Sequence, residues 1–409
     1  MSFLSKLSCL FFGISFSLRM HSAIAFGVCL SIGVVLILIE KRLSLKHWLY
    51  KCKKNELTFP IILFLITFLI SCFFSINQIR SISVLGYLCL FIFFSYIIFQ
   101  NFKSHPKELK LLSNFLYISI IFSVLFVLFY NFNEGQIFET LQRKETPIEV
   151  IRFKGFVNVL TILVLILPLL NKKIGHKKIY VSTLPIILII PVIITSNCNS
   201  AVLGIFVGIL SIFFFKILIS LKFDKNKLLS LLIFKAIFII SVTYYFSYNH
   251  KINTIENYEF LVSTNLIDAH RQIIWGFSLE NFEENPVFGV GPDTSNFIKG
   301  SQKVIGHEST GTMHYIPSHP HNFFIELLLE TGVVGTLSFI FLIFSINYFI
   351  FKRIITKDFS YVIFFNGYFW GASLVNFSFW NAWWQVSYFF ILAIISSILY
   401  SKKIKKFKF

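Results

Sequence analysis

Charge is scarce in this chain. Of 409 residues only 14% are Asp, Glu, Lys or Arg, and the acids number 19. A soluble domain carries about a quarter of its residues as charges, so the composition excludes an ordinary water-soluble protein. Cysteine is also sparse. Cys9, Cys29, Cys72 and Cys89 fall in apolar runs, Cys52 falls in a basic segment and Cys198 at a turn, so no disulfide framework is expected. No glycine-rich phosphate loop and no C-x-x-C pair occurs, and no soluble module is expected at either end. A nucleotide-driven motor is therefore not expected.

What is abundant is apolar bulk: 56% hydrophobic residues, 53 of them Phe, with a mean hydropathy of +0.75. Crossing a bilayer takes about 17 to 25 apolar residues. Twelve such runs are expected, at 3–18, 22–39, 58–76, 84–100, 112–132, 155–170, 180–196, 200–221, 229–248, 322–351, 360–379 and 384–401. The first is followed at once by another apolar run and lacks a small-residue cleavage site, so it is read as a span. If the N-terminus lies inside, the inner segments hold 25 of the 37 basic residues, as Lys/Arg asymmetry requires. The net charge of +18 is thus assigned to topology and anionic membrane lipid, with no nucleic-acid partner.

Two outer segments break the pattern. The first, about 130–154, carries Arg143, Lys144, Arg152 and Lys154; the second, 249–320, is too long for a connector. Three regions follow: 1–248 with spans one to nine, 249–320 as a helical outer subdomain, and 321–409 with spans ten to twelve and a basic tail. Within the subdomain a helix is expected from Asp268 to about Glu284, stopped by Asn285-Pro286, with Arg271 one turn before Trp275. In the P-V-F-G-V-G-P that follows, Gly289 and Gly291 suggest close backbone approach, and a G-x-G is a weak phosphate signal. Trp380, Trp383 and Trp384 are read as an interfacial aromatic belt.

The most informative stretch is Ser318 to Gly335, S-H-P-H-N-F-F-I-E-L-L-L-E-T-G-V-V-G. Ionisable groups at bilayer depth cost a few kcal/mol each, ~3 for Asp at a helix centre, unless they face a cavity or a partner. His319, His321, Glu326 and Glu330 at the mouth of a span therefore point to a site. Asn322 is a good N-cap for a helix starting at Phe323, and Glu326 and Glu330, four apart, share its face. Gly332 and Gly335 allow a bend or close packing.

These motifs resemble the O-antigen ligase and polymerase family of bacterial envelope glycosyltransferases. The carrying features are the large late loop, Arg271-Gln-Ile-Ile-Trp275, and His319-Pro-His321-Asn322 followed by Glu330-Thr-Gly332. Arg152, Gly155 and Asn158 fit loosely a further family feature, an Arg before a G-x-x-x-N-like span start. One position departs: Asn199 stands where the family has a second arginine, so either Arg152 or Arg143 supplies that charge or the site is altered.

The resemblance implies a glycosyltransferase C-type membrane fold in the bacterial inner membrane with a periplasmic site. It implies an O-antigen ligase, inverting and metal-independent. The partners would be an undecaprenyl diphosphate-linked glycan donor, a lipid A-core or other glycan acceptor, and membrane lipid. Arg271 would stabilise the leaving diphosphate, His321 would accept the acceptor's proton with His319 in support, and Arg152, Arg143, Asn322, Glu326, Glu330 and Trp275 would contact substrate. No cofactor is implied. Rival readings are an O-antigen polymerase, a protein O-oligosaccharyltransferase, and a secondary transporter or flippase. Residue by residue, Arg271 could instead pair with Asp268 at the surface, the glutamates could serve only the helix start, and His307, His314, His319 and His321 could gather a metal.

Overall fold

The computed structural model describes residues 1–20, 22–41, 56–132, 154–174, 180–252, 269–307, 311–354 and 356–406. Thirteen α-helices are found among them: α1 (Phe3–Arg19), α2 (Ala23–Glu40), α3 (Thr58–Phe73), α4 (Gln78–Ser104), α5 (Pro106–Phe132), α6 (Lys154–Ile174), α7 (Tyr180–Thr195), α8 (Asn199–Ser220), α9 (Lys225–Asn249), α10 (Ala269–Glu284), α11 (Phe323–Arg353), α12 (Ser360–Ser373) and α13 (Ala382–Lys406). Side-chain caps fix several starts: Ser2 for α1, Ser22 for α2, Asn77 for α4 and Asp224 for α9 each accept a backbone N–H of the first turn.

This is the architecture of an all-α polytopic membrane protein. By length and composition α2, α4, α5, α8, α9, α11 and α13 can cross a membrane, and α3, α6 and α7 contain shorter apolar helices. All helices except α10 fall on the twelve apolar runs. The bundle has two chemically distinct ends. At one, Ser5 and Lys41 reach Glu108 at 2.9 and 3.3 Å, Lys103 lies over the Tyr400 ring, and Arg353 pairs with Glu56 at 3.0 Å. At the other, Asn131 donates to Thr195 at 2.8 Å and Asn158 ties α6 to Cys198 and Ser200. Alternate passage of successive helices gathers these residues as observed.

Two expectations are corrected. The large loop is not purely helical, because β1 (Val304–His307) pairs antiparallel with β2 (Gly311–His314), Val304 opposite His314. Four-residue strands are too short for alternation to announce them. Nor are Trp380 and Trp384 a belt: they are 2% and 0% exposed. Trp384 stacks on Phe369 at 4.1 Å, and its indole N–H donates to Ser373 Oγ at 2.9 Å. An indole whose polar edge finds a partner inside needs no interface.

Candidate active site

The site is built where the large loop meets α11. Asn322 caps α11 through Oδ1, which accepts from Phe324 N at 3.0 Å and Ile325 N at 3.3 Å. The helix then breaks at Gly332, where φ is +62° and ψ −171°. Into that break docks the Pro286–Pro292 loop, by main-chain bonds: Val290 N to Leu329 O at 3.0 Å, Gly291 N to Glu330 O at 2.9 Å and Val333 N to Pro286 O at 2.8 Å. Side chains would abolish this approach. A Cβ at Gly289 would lie 2.4 Å from the Glu330 carbonyl carbon, one at Gly291 2.0 Å from Ser75 Oγ, and one at Gly332 2.3 Å from Val287 backbone. The G-x-G therefore serves loop docking, and its backbone is spent on protein partners.

The two glutamates brace α11 on two sides. Glu330 accepts Asp293 N at 2.5 Å through Oε2 and Ser295 N at 2.9 Å through Oε1. Glu326 accepts Phe379 N at 2.8 Å through Oε2, while its Oε1 is buried without a partner. The first holds the large loop and the second holds the α12–α13 connection. Asp293 in turn pairs with Arg80 of α4 at 2.6 Å, and burial pushes its carboxyl above the ordinary range despite that arginine. Neither Arg80 nor Arg19 was singled out in the sequence, because a lone arginine at a span end reads as topogenic.

The two histidines converge on one atom. His319 Nε2 lies 2.6 Å and His321 Nδ1 3.2 Å from the carbonyl oxygen of Asn376, with the rings 4.3 Å apart. A carbonyl only accepts, so each of these nitrogens bears the hydrogen. His319 is then used at both ends, its Nδ1 accepting from Ser318 Oγ at 2.8 Å. His321 Nε2 is left without a partner among the described residues, as an open acceptor. His321 also sits at φ +55°, a left-handed backbone that a non-glycine residue adopts at a cost of order 1–3 kcal/mol. Burial lowers the pKa of both, that of His321 to about 3, with His319, Arg271 and His270 adding to the effect. Both imidazoles are neutral near pH 7.

Arg271 of α10 lies within electrostatic reach of His321. Arg271 is partly exposed and has no ion-pair partner among the described residues. Trp275, one turn on, is buried, and its indole nitrogen lacks an acceptor. Arg143, Arg152 and Asp268 lie outside the described residues. Gly155 and Asn158 form the buried wall beside the site, and Asn199 is exposed at the start of α8. No three His, Cys, Asp or Glu side chains gather to hold a metal among the described residues. From the start of α11 an apolar cavity of about 210 Å³ runs between α8, α9, α11 and α12, lined by Phe323, Phe324, Phe339, Ile343 and Trp370.

Residues 184–340 match the family described as O-antigen ligase, which spans the start of α8, the large loop and the histidine motif. Proteins named "Putative polysaccharide ligase" from Rickettsia conorii, Rickettsia typhi and Rickettsia felis are 29%, 30% and 28% identical over 134 residues. Each alignment spans 32% of this chain and 32% of the relative. No solved structure matches the chain.

Proposed function

We propose, for a chain whose residues 184–340 are those of the O-antigen ligase family, that it moves a glycan from undecaprenyl diphosphate to a sugar hydroxyl of lipid A-core. The site would face the periplasm of a bacterial inner membrane. The observation that carries the reading is the pair His319 and His321 on the Asn376 carbonyl, with His321 Nε2 unpartnered among the described residues and Arg271 within electrostatic reach. In the reaction the acceptor oxygen bonds to the anomeric carbon as the bond from that carbon to the diphosphate oxygen breaks. The hydroxyl proton passes to His321 Nε2, and the electron pair leaves with the diphosphate, whose growing charge Arg271 stabilises.

An imidazole with a pKa of about 3 is neutral but weakly basic. A docked diphosphate supplies the correction, since an anion nearby favours the protonated form and offsets Arg271. The apolar cavity lined by Phe323 and Phe324 would suit part of the isoprenoid tail, and a head group at that end would lie near the histidines. The reading is tested with a deletion strain whose polysaccharide is resolved on gels. Loss of a ligase leaves polymer on its carrier and bare core; core bearing one repeat would make the chain a polymerase, and unchanged polysaccharide would sink both.

A further inference from the structure

Arg19 closes α1 at the same end of the bundle as the histidines. Its guanidinium lies 4.2 Å from the centroid of the Trp383 ring, and its Nε is buried with no hydrogen-bond partner. No carboxylate pairs with it among the described residues. The helix end that bears it is fixed, because Ser17 donates to Ser119 O at 3.1 Å and bonds Ser123 Oγ at 2.9 Å across to α5. Trp383 in turn meets the Phe377 ring edge-on at 5.2 Å, and Phe377 follows Asn376, whose carbonyl both histidines share. Gly155 keeps the neighbourhood open: a Cβ there would come 2.8 Å from the Trp383 ring and 3.5 Å from Arg19 Nη2.

A guanidinium stays charged in any protein environment. Arg19 is partly exposed, but its Nε is out of water without a counter-ion, a cost that the ~2 kcal/mol of a desolvated cation–π contact offsets only in part. An anion on the guanidinium would complete the arrangement. The fork of a guanidinium matches phosphate oxygens two at a time, and the ring beneath it fixes its plane. Asn199, where the sequence lacks a positive charge, is exposed on the first residue of α8 and offers no cation.

We infer that Arg19 is a second arginine of the anion subsite, binding the diphosphate of a lipid-linked donor together with Arg271. This rests on the lipid-diphosphate reading above. The rival is a purely structural clasp, Arg19 on Trp383, that pins α1 to α13.

The test uses full-length protein in zwitterionic phosphatidylcholine nanodiscs, titrated calorimetrically with farnesyl diphosphate. Wild type binds; Arg19→Gln weakens binding at least tenfold, Arg19→Lys recovers only part of it, and Arg271→Gln weakens it independently. Arg19→Lys keeps a cation over Trp383 and so preserves the clasp, which separates anion binding from folding should Arg19→Gln fail to fold. Wild-type affinity in Arg19→Gln or Arg19→Lys, with Arg271→Gln weakened, overturns this inference alone. Absence of binding by wild type removes the lipid-diphosphate reading and this inference with it. Discs containing phosphatidylglycerol form the second arm: if that lipid displaces the farnesyl diphosphate from wild type but not from Arg19→Gln, the subsite is one for bilayer phosphate and the inference is lost.

Discussion

The carboxylate of Glu330 receives the backbone N–H of Asp293 at 2.5 Å. An acid inside a membrane helix thus ends on the main chain of a loop thirty-odd residues earlier, and its other oxygen takes Ser295 N. Glu330→Gln keeps the size but replaces one acceptor oxygen by a donor, leaving one amide unmet at a cost of about 1–3 kcal/mol. A lower melting temperature with transfer reduced in proportion to folded protein is expected. Full stability in the Gln variant, measured by thermal unfolding in detergent, would contradict the bracing role.

His321→Ala is expected to slow transfer by about 10²- to 10⁴-fold while donor binding and protein level persist, because removal of a base raises the barrier without removing ground-state contacts. His319→Ala, which loosens only the support, should cost less. The acid response has a definite sign. With folded pKa values below the unfolded one, the unfolded chain binds more protons between about pH 3 and the ordinary histidine range near 6.5. Stability therefore falls as pH drops through that window and is flat above it. Thermal melts across that range should show a shallower loss in His321→Ala than in wild type.

Arg271→Lys keeps the charge and loses the fork. Hydrogen bonds to a charged group contribute about 1.5–3 kcal/mol, so a fall in kcat/KM of roughly tenfold to a hundredfold is expected. Chelator should have no effect on the wild-type rate, since arginine neutralises the leaving group in this scheme. A rate abolished by EDTA and restored by one added metal would turn attention to His307, His314, His319 and His321 as ligands.

Orientation is open to direct labelling. Single cysteines at Lys103 and Lys352 should stay protected in intact cells, whereas one at Lys299 should react, because the basic loops stay inside. Labelling at 299 only after permeabilisation would put the large loop on the other face and end the proposed periplasmic chemistry.

Gly332→Ala places a Cβ 2.3 Å from Val287 backbone at φ +62°. Left-handed backbone costs a non-glycine residue ~1–3 kcal/mol, and the clash adds to it. The expected outcome is a poorly accumulating protein with a protease-sensitive large loop. Gly86→Ala, whose Cβ would meet nothing within 4 Å, is the matched control.

Much of the bundle was legible because hydrophobic length and Lys/Arg asymmetry are local properties of the chain, and the α10 end and the α11 start were legible because Asn285-Pro286 and Asn322 act on their neighbours. Asn376 was invisible: its carbonyl orients both histidines from the far side of α12, and no motif marks a backbone oxygen. Arg19 was hidden for a similar reason, since only the fold brings α1 to Trp383. The Gly289 and Gly291 pair read correctly as close backbone approach, but which backbone they approach depends on a helix forty residues later.

The seam between the Pro286–Pro292 loop and the break in α11 is made of main-chain groups. Main-chain groups are common to every residue but proline, so the union is indifferent to the side chains the loop carries on its outer surface. Val287, about half exposed, can be exchanged without moving the histidines by any path through that seam. The fold thereby separates the exposed face of the loop from the frame that aligns the histidines, and one can be remodelled while the other stands still.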